Sequence, residues 1–156
     1  MRLMLREVTG KDIDLLFQWA NDPETRQNAF HTEQIPYDTH RTWFVKMLAD
    51  RDVLKYILCN ITNTGEMQDI GQIRLSIEDG EALIDYSIDS EKRGQGFGTR
   101  MILMAEEKLR EVRADVTYCK GQVKKMNIAS AKAFEKCGYD VEEREQYLEF
   151  VKRIRS

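Results

Sequence analysis

The stretch Glu91-Lys92-Arg93-Gly94-Gln95-Gly96-Phe97-Gly98-Thr99 decides how this chain is read. Its three alternating glycines stand directly before an apolar-periodic run, Met101, Ile102, Met104, Ala105 and Leu109. Before them lies Ala82-Leu83-Ile84-Asp85-Tyr86-Ser87-Ile88, which has the composition of a strand. Strand, glycine turn and helix start, in that order, place free backbone N–H groups at the positive end of a helix dipole. Such a nest holds phosphate oxygens with little help from basic side chains. Glycine suits it because a Cβ would keep an anion off the backbone. The spacing is not that of a dinucleotide fingerprint, since the third glycine follows the second by two residues instead of three. Nor does Gly-Lys-Ser/Thr follow, as a Walker loop requires. Taken alone, the residues leave a plain tight turn as the alternative.

Working outward, Leu3, Leu5 and Val8 predict a first strand that Thr9-Gly10 ends. Ile13, Leu15, Leu16 and Trp19 follow helical period, and Asn21-Asp22-Pro23 predicts that helix's end. Glu24 to Ile35 has no period and reads as a loop. A second helix runs from Pro36 to about Ala49, with Trp43, Phe44, Met47 and Leu48 as its stripe. Strands are expected over Val53–Ile61 and around Ile70–Ile77, with a hairpin at Asp79-Gly80 leading into the strand from Ala82. After the glycine turn come a helix to about Val112, a strand at Val116–Cys119 and a helix at Asn127–Cys137 stopped by Gly138. Tyr139–Glu143 and Tyr147–Ile154 read as a closing hairpin. Local signals alone give an α+β domain with a mixed sheet.

The 156 residues suit one domain, able to bury roughly 70% of its unfolded surface. With 24 basic and 27 acidic side chains the net charge is −3, and no basic run is present, which argues against a nucleic-acid partner. No apolar stretch reaches the ~20 residues of a membrane span and no signal-peptide core opens the chain, so a cytoplasmic location is expected. Cys59, Cys119 and Cys137 have no C-x-x-C spacing and read as reduced packing residues. The two histidines and scattered acids form no familiar metal set, so no metal is expected.

Arg93-x-x-Gly96-x-Gly98 resembles the pyrophosphate-binding motif of the GNAT superfamily of N-acetyltransferases, Arg/Gln-x-x-Gly-x-Gly/Ala. Asn127-Ile128-Ala129-Ser130 and the ending Glu135-Lys136-Cys137-Gly138-Tyr139 resemble the superfamily's next helix. Leu5-Arg6-Glu7 and Trp19-Ala20-Asn21-Asp22-Pro23 are similar to the RimJ/RimL-like branch. The resemblance implies a GNAT fold: a mixed, mostly antiparallel sheet of six to seven strands flanked by about four helices, ordered β-α-α-β-β-β-α-β-α-β-β. It implies acetyl-CoA as co-substrate, held at Arg93, Gly94, Gln95, Gly96, Phe97, Gly98 and Thr99. The backbone of Tyr86, Ser87 and Ile88 would pair with the pantetheine, and Asn127 would bond the same arm. Asn127 is also a favoured N-cap on its residue type alone.

For catalysis, many members place a tyrosine seven residues after that asparagine to protonate the leaving thiolate, where this chain has Phe134. Ser130 then takes the role, as proposed for the matching serine of RimL-like enzymes. Some members use a glutamate where this chain has Ala82, which leaves Glu7, Glu33, Asp85, Tyr86, His31 and His40 as open choices for the base. The acceptor would meet the first two helices and their connection, through Trp19, Asn21, Asp22, Arg26, His40 and Trp43. For Trp19 and Trp43 the competing role is core packing. This segment, with Lys132-Ala133-Phe134-Glu135-Lys136, is similar to N-acetyltransferases of nucleotide-linked amino sugars, making a small-molecule amine the expected partner. A protein N-terminus is the second choice and a catalytically idle acetyl-CoA sensor the third. The family is often homodimeric, although no interface is legible here.

Overall fold

The computed structural model describes residues 1–155. Seven strands form one sheet in the order β1-β2-β3-β4-β5-β7-β6. They are β1 (Arg2–Glu7), β2 (Val53–Ile61), β3 (Met67–Glu78), β4 (Glu81–Ile88), β5 (Tyr118–Val123), β6 (Asp140–Glu143) and β7 (Leu148–Arg153). Every pairing is antiparallel except β4 with β5. Five α-helices flank the sheet: α1 (Ile13–Ala20), α2 (Pro23–Asn28), α3 (Tyr37–Ala49), α4 (Phe97–Val112) and α5 (Ile128–Lys136). The expected α+β architecture is therefore present, with one helix more than the sequence pattern indicated.

That helix is α2. Pro23 was read as a stop for α1, and it instead occupies the first turn of a new helix. There its missing N–H costs nothing, and Asp22 caps the end by accepting from the Thr25 backbone N–H. The strand expected at Val116–Cys119 begins later and runs over Tyr118–Val123, because Val116 turns into the core while β5 pairs with β7 as far as Val123.

Two cores sit on opposite faces of the sheet. On one, α4 presents Met101, Ile102, Ala105 and Leu109, all fully buried, against Tyr56, Ile73, Leu75 and Ile84. Burying a side chain of this size contributes roughly 1.5–3 kcal/mol, which far exceeds what intrinsic helix propensity supplies. On the other face Leu16 and Trp19 of α1 and Phe44 and Met47 of α3 close over Ile57.

Sequence periodicity did not anticipate Glu106, which lies on the buried face of α4. Tyr139 Oη donates to its carboxylate at 2.8 Å and Lys152 Nζ at 2.7 Å, so the charge is matched where it is buried. No helix among the described residues is long and apolar enough to cross a membrane.

Candidate active site

β4 pairs with β5 only from Glu81 to Ile84. Beyond Gly121, β5 continues with β7 alone, so Asp85–Ile88 keep their β3 partners and have none on the β5 side. The result is a wedge in the middle of the sheet, edged by backbone N–H and C=O groups that no other strand uses. Unpaired backbone of this kind must bond to water or to a ligand.

The glycine turn stands at the end of that edge. Asp89 anchors it: its backbone N–H donates to Ile70 O at 2.8 Å, and its carboxylate accepts from Glu91 N and from Trp19 Nε1, each at 2.9 Å. Gly94 (φ 76°) and Gly96 (φ 80°) lie in the left-handed region, so glycine is required there for conformation. A Cβ on either would meet no protein atom within 4 Å, which leaves that side of the turn open. Gly98 differs, because a Cβ there would come within 3.1 Å of the Tyr86 ring. α4 begins at Phe97 with no side-chain cap and no acid in its first turn, so its terminal N–H groups face outward unclaimed. Gln95 and Gly96 are exposed and Phe97 is buried beneath them, its role one of packing.

Arg93 is engaged by acids at the start of α2. Its guanidinium holds Asp22 at 2.6 Å and Glu24 at 2.7 Å, tying α2 to the turn. Burial is the largest single influence on the Asp22 carboxyl and raises it, but the Arg93 guanidinium and the Thr25 N–H and hydroxyl together outweigh it and hold the group below its ordinary range.

Across the wedge, Tyr86 Oη donates to Ser130 Oγ at 3.0 Å, linking β4 to α5. Asn127 caps α5 through Oδ1, which accepts from Ser130 N at 3.2 Å. Burial pushes the Tyr86 hydroxyl up to about 12, partly offset by its bond to Ser130. The phenol therefore stays protonated and serves as a donor. Ser130 Oγ, already accepting from Tyr86, keeps its own proton free to donate elsewhere.

Phe134 lies in the core, stacked on Phe150 at 5.2 Å and edge-on to Tyr139 at 5.0 Å. Gly121 on β5 makes room for it, since a Cβ there would fall 2.3 Å from the ring tip. Ala82 is fully buried beside Cys119 and offers nothing polar.

The residues expected to meet an acceptor separate. Trp19 is buried on α1 with its indole bound to Asp89. Asn21 clamps the backbone of Ile35, donating to its carbonyl at 2.9 Å and accepting from its N–H at 2.7 Å. Arg26 donates to the carbonyls of His31 and Glu33. His40 is buried, with Nε2 2.9 Å from Ile13 O. These four hold α1, α2 and the following loop in shape.

Trp43 lines a shallow pocket of about 340 Å³ shared with Lys46, Met47, Asp50, Val53, Arg74 and Ser76. Of the open choices for the base, Glu7, His31 and Glu33 are exposed away from this pocket, and Asp85 lies on its sheet face beside Arg74. Lys55, Gln72 and Arg74 were missed by sequence reading. They come from strands whose alternation marks them only as polar positions, and nothing local shows that β2 and β3 bring them together. Among the described residues no group of three or more His, Cys, Asp and Glu is placed to hold a metal ion.

The fold is thus an α+β domain whose sheet is half open between β4 and β5, with an uncapped helix start at the end of the wedge. A family model described as acetyltransferase (GNAT) domain matches residues 2–140, and the chain belongs to that family. No curated protein sequence matches it. Among solved structures, it is similar to the spermidine N-acetyltransferase from Vibrio cholerae in complex with CoA and spermine (TM-score 0.81, 18% identity, 97% of this chain and 95% of that one). It is also similar to AAC(6')-Ib in complex with ribostamycin and coenzyme A (TM-score 0.79, 21% identity, 98% and 94%). A third is RimL, a ribosomal L7/L12 alpha-N-protein acetyltransferase in complex with coenzyme A (TM-score 0.78, 16% identity, 97% and 93%). At these identities the likeness is one of fold.

Proposed function

We propose that the protein transfers acetyl from acetyl-CoA to a primary amine. The observation that carries this reading is the wedge: the unpaired Asp85–Ile88 edge runs straight into the open Gly94–Gly98 turn and the uncapped start of α4. The free N–H groups around Gly94, Gly96, Phe97, Gly98 and Thr99 suit the pyrophosphate, and the edge at Tyr86, Ser87 and Ile88 suits an extended amide-bearing arm. Acetyl-CoA, when bound, supplies an activated acetyl group.

Ser130 is the donor to the departing sulfur. Tyr86 is a positioning residue that turns the Ser130 proton toward the wedge. Asn127 contributes by fixing the first turn of α5, and thereby Ser130. With Phe134 sealed in the core, no other hydroxyl of α5 competes for this role. The acceptor reading we favour is a nucleotide-linked amino sugar, for which the pocket walled by Trp43 offers an aromatic side chain beside the cations Lys46 and Arg74.

Mixing the protein with acetyl-CoA and a panel of amines, and following free thiol, tests both parts. UDP-linked amino sugars, polyamines, aminoglycosides and peptides beginning with a free amine make up the panel. Thiol release restricted to peptides would favour an N-terminal acetyltransferase. Tight acetyl-CoA binding by calorimetry with no turnover would favour a sensor.

A further inference from the structure

Several half-buried cations in this molecule have close carboxylate partners, while others, Arg26 and Lys124 among them, donate to backbone carbonyls. Arg6 holds Asp12 at 2.9 Å, Arg93 holds Asp22 at 2.6 Å, Arg113 holds Asp115 at 2.9 Å and Lys152 holds Glu106 at 2.7 Å. Two cations on the α3-facing side of the sheet stand together without a close carboxylate. Lys55 on β2 has, among the described residues, no carboxylate within 4 Å. Its ammonium donates to the neutral Oε1 of the buried Gln72. Arg74 on β3 has only Asp85, at a long 3.8 Å. Both stand 5.5 Å from the centroid of the Trp43 ring, and Arg74 lines the pocket with Trp43 and the exposed Lys46.

This patch is wired to the wedge. Gln72 Nε2 donates to Ser87 Oγ at 2.9 Å, and Ser87 belongs to the unpaired edge of β4. Along β3, Gln72 faces Ser87, and Arg74 and Ser76 follow at steps of two residues. Arg74 is the register partner of Asp85, the first residue of the open edge, and at roughly 3.3 Å per residue Arg74 and Ser76 lie about 7 and about 13 Å along β3 from Gln72. An ammonium desolvated without a counter-ion is costly to keep, and here burial pushes Lys55 down to about 7, with Asp85 opposing and Arg74 adding to the shift. Such a group, with Arg74 beside it on the pocket wall, is a candidate for binding an anion.

We propose that Lys55 and Arg74, with Lys46 at the outer rim, bind an anionic group, phosphate or carboxylate, carried by the acceptor on the far side of its amine. This rests on the acetyltransferase reading of the wedge and narrows its acceptor. Trp43 walls the pocket, and the carboxylates near the cations, Asp50 in the pocket lining and Asp85 facing the pair, are left for the ammonium end. Polycations such as spermine or ribostamycin, bound by two of the fold neighbours, would meet like charge in this patch.

The test uses the full chain saturated with coenzyme A, so that the glycine turn is filled. UMP and succinate, anionic probes without an amine, are titrated in by calorimetry and by tryptophan fluorescence. Saturable binding is expected, at least tenfold weaker in Lys55→Met and Arg74→Gln and retained in Lys55→Arg; the stronger probe tells phosphate from carboxylate. No saturable binding, or equal affinity in all variants, overturns the proposal. A second arm compares thiol release from acetyl-CoA with glucosamine 6-phosphate, glucosamine and spermidine. The phosphorylated amine is expected to have a kcat/KM at least tenfold above that of glucosamine, with the advantage lost in Lys55→Met. Preference for spermidine overturns the anion site and leaves acetyl transfer standing. Lys55-dependent probe binding with no thiol release from any amine does the reverse.

Discussion

The Gly94–Thr99 turn and the Lys55–Arg74 patch flank the same unpaired strand edge and are made of different materials. The turn works through backbone: two left-handed glycines, a helix start without a cap and a row of free N–H groups within a few consecutive residues. The patch works through side chains that β2, β3 and α3 bring together from positions as far apart as Trp43 and Arg74. A backbone site tolerates almost any change of neighbouring side chains and no change of its glycines. A side-chain site behaves in the opposite way, losing function gradually as single groups are replaced.

The largest effect that can be asked of this contrast is at Gly96. Gly96→Glu puts a Cβ at φ 80° and a negative charge into the nest. Acetyl-CoA binding measured by calorimetry should fall below detection; unchanged affinity would falsify the cradle assignment. Next comes Ser130→Ala, which removes the donor and should lower kcat about 10- to 100-fold while the KM for acetyl-CoA stays within a few-fold. Tyr86→Phe should lower kcat less, because Ser130 keeps its proton and loses only its orientation. A Tyr86→Phe defect as large as that of Ser130→Ala would make the phenol the principal donor.

A fourth change separates packing from function at the wedge. Gly121→Ala drives a methyl group into the Phe134 ring and should cost about 1–3 kcal/mol in denaturant unfolding. Phe134→Leu in the same chain should recover part of that loss. No cost in the single variant would mean that β5 and α5 are free to separate.

The smallest effect sharpens the patch. The folded pKa of Lys55 is about 7 against an ordinary 10.5, so between those values the unfolded chain holds a proton that the folded chain does not. Stability therefore rises with pH across that window, and the cost of burying the charge is complete below it. Arg74 and Asp85 are the charged groups that act on Lys55 there. Lys55→Met should raise the melting temperature by a few degrees at pH 6 and by little or nothing at pH 10. An equal gain at both pH values would show that packing, and not charge, sets the difference.

The legible part of the site follows the same division. Gly94, Gly96 and Gly98 announce themselves because a nest and a helix start are local, and the Asp79-Gly80 hairpin is likewise readable from neighbours in sequence. Trp19, Asn21, Arg26 and His40 have residue types that suit a ligand, and the fold uses them to hold α1, α2 and the following loop. Pro23 has the ambiguity of its chemistry: without an N–H it ends one helix as readily as it begins the next, and the cap from Asp22 decides.

By itself the sequence determined the strand–turn–helix unit, the α+β class and the kinship with GNAT acetyltransferases, since each depends on hydrophobic period, glycine conformation and short motifs. Only the tertiary structure decided where β4 leaves β5, that Phe134 needs Gly121, that Arg93 turns to Asp22, and that Lys55 and Arg74 share one aromatic face. Those facts depend on sheet register and on contacts between distant segments, and a one-residue change of register would send Lys55 or Arg74 to the opposite face of the sheet.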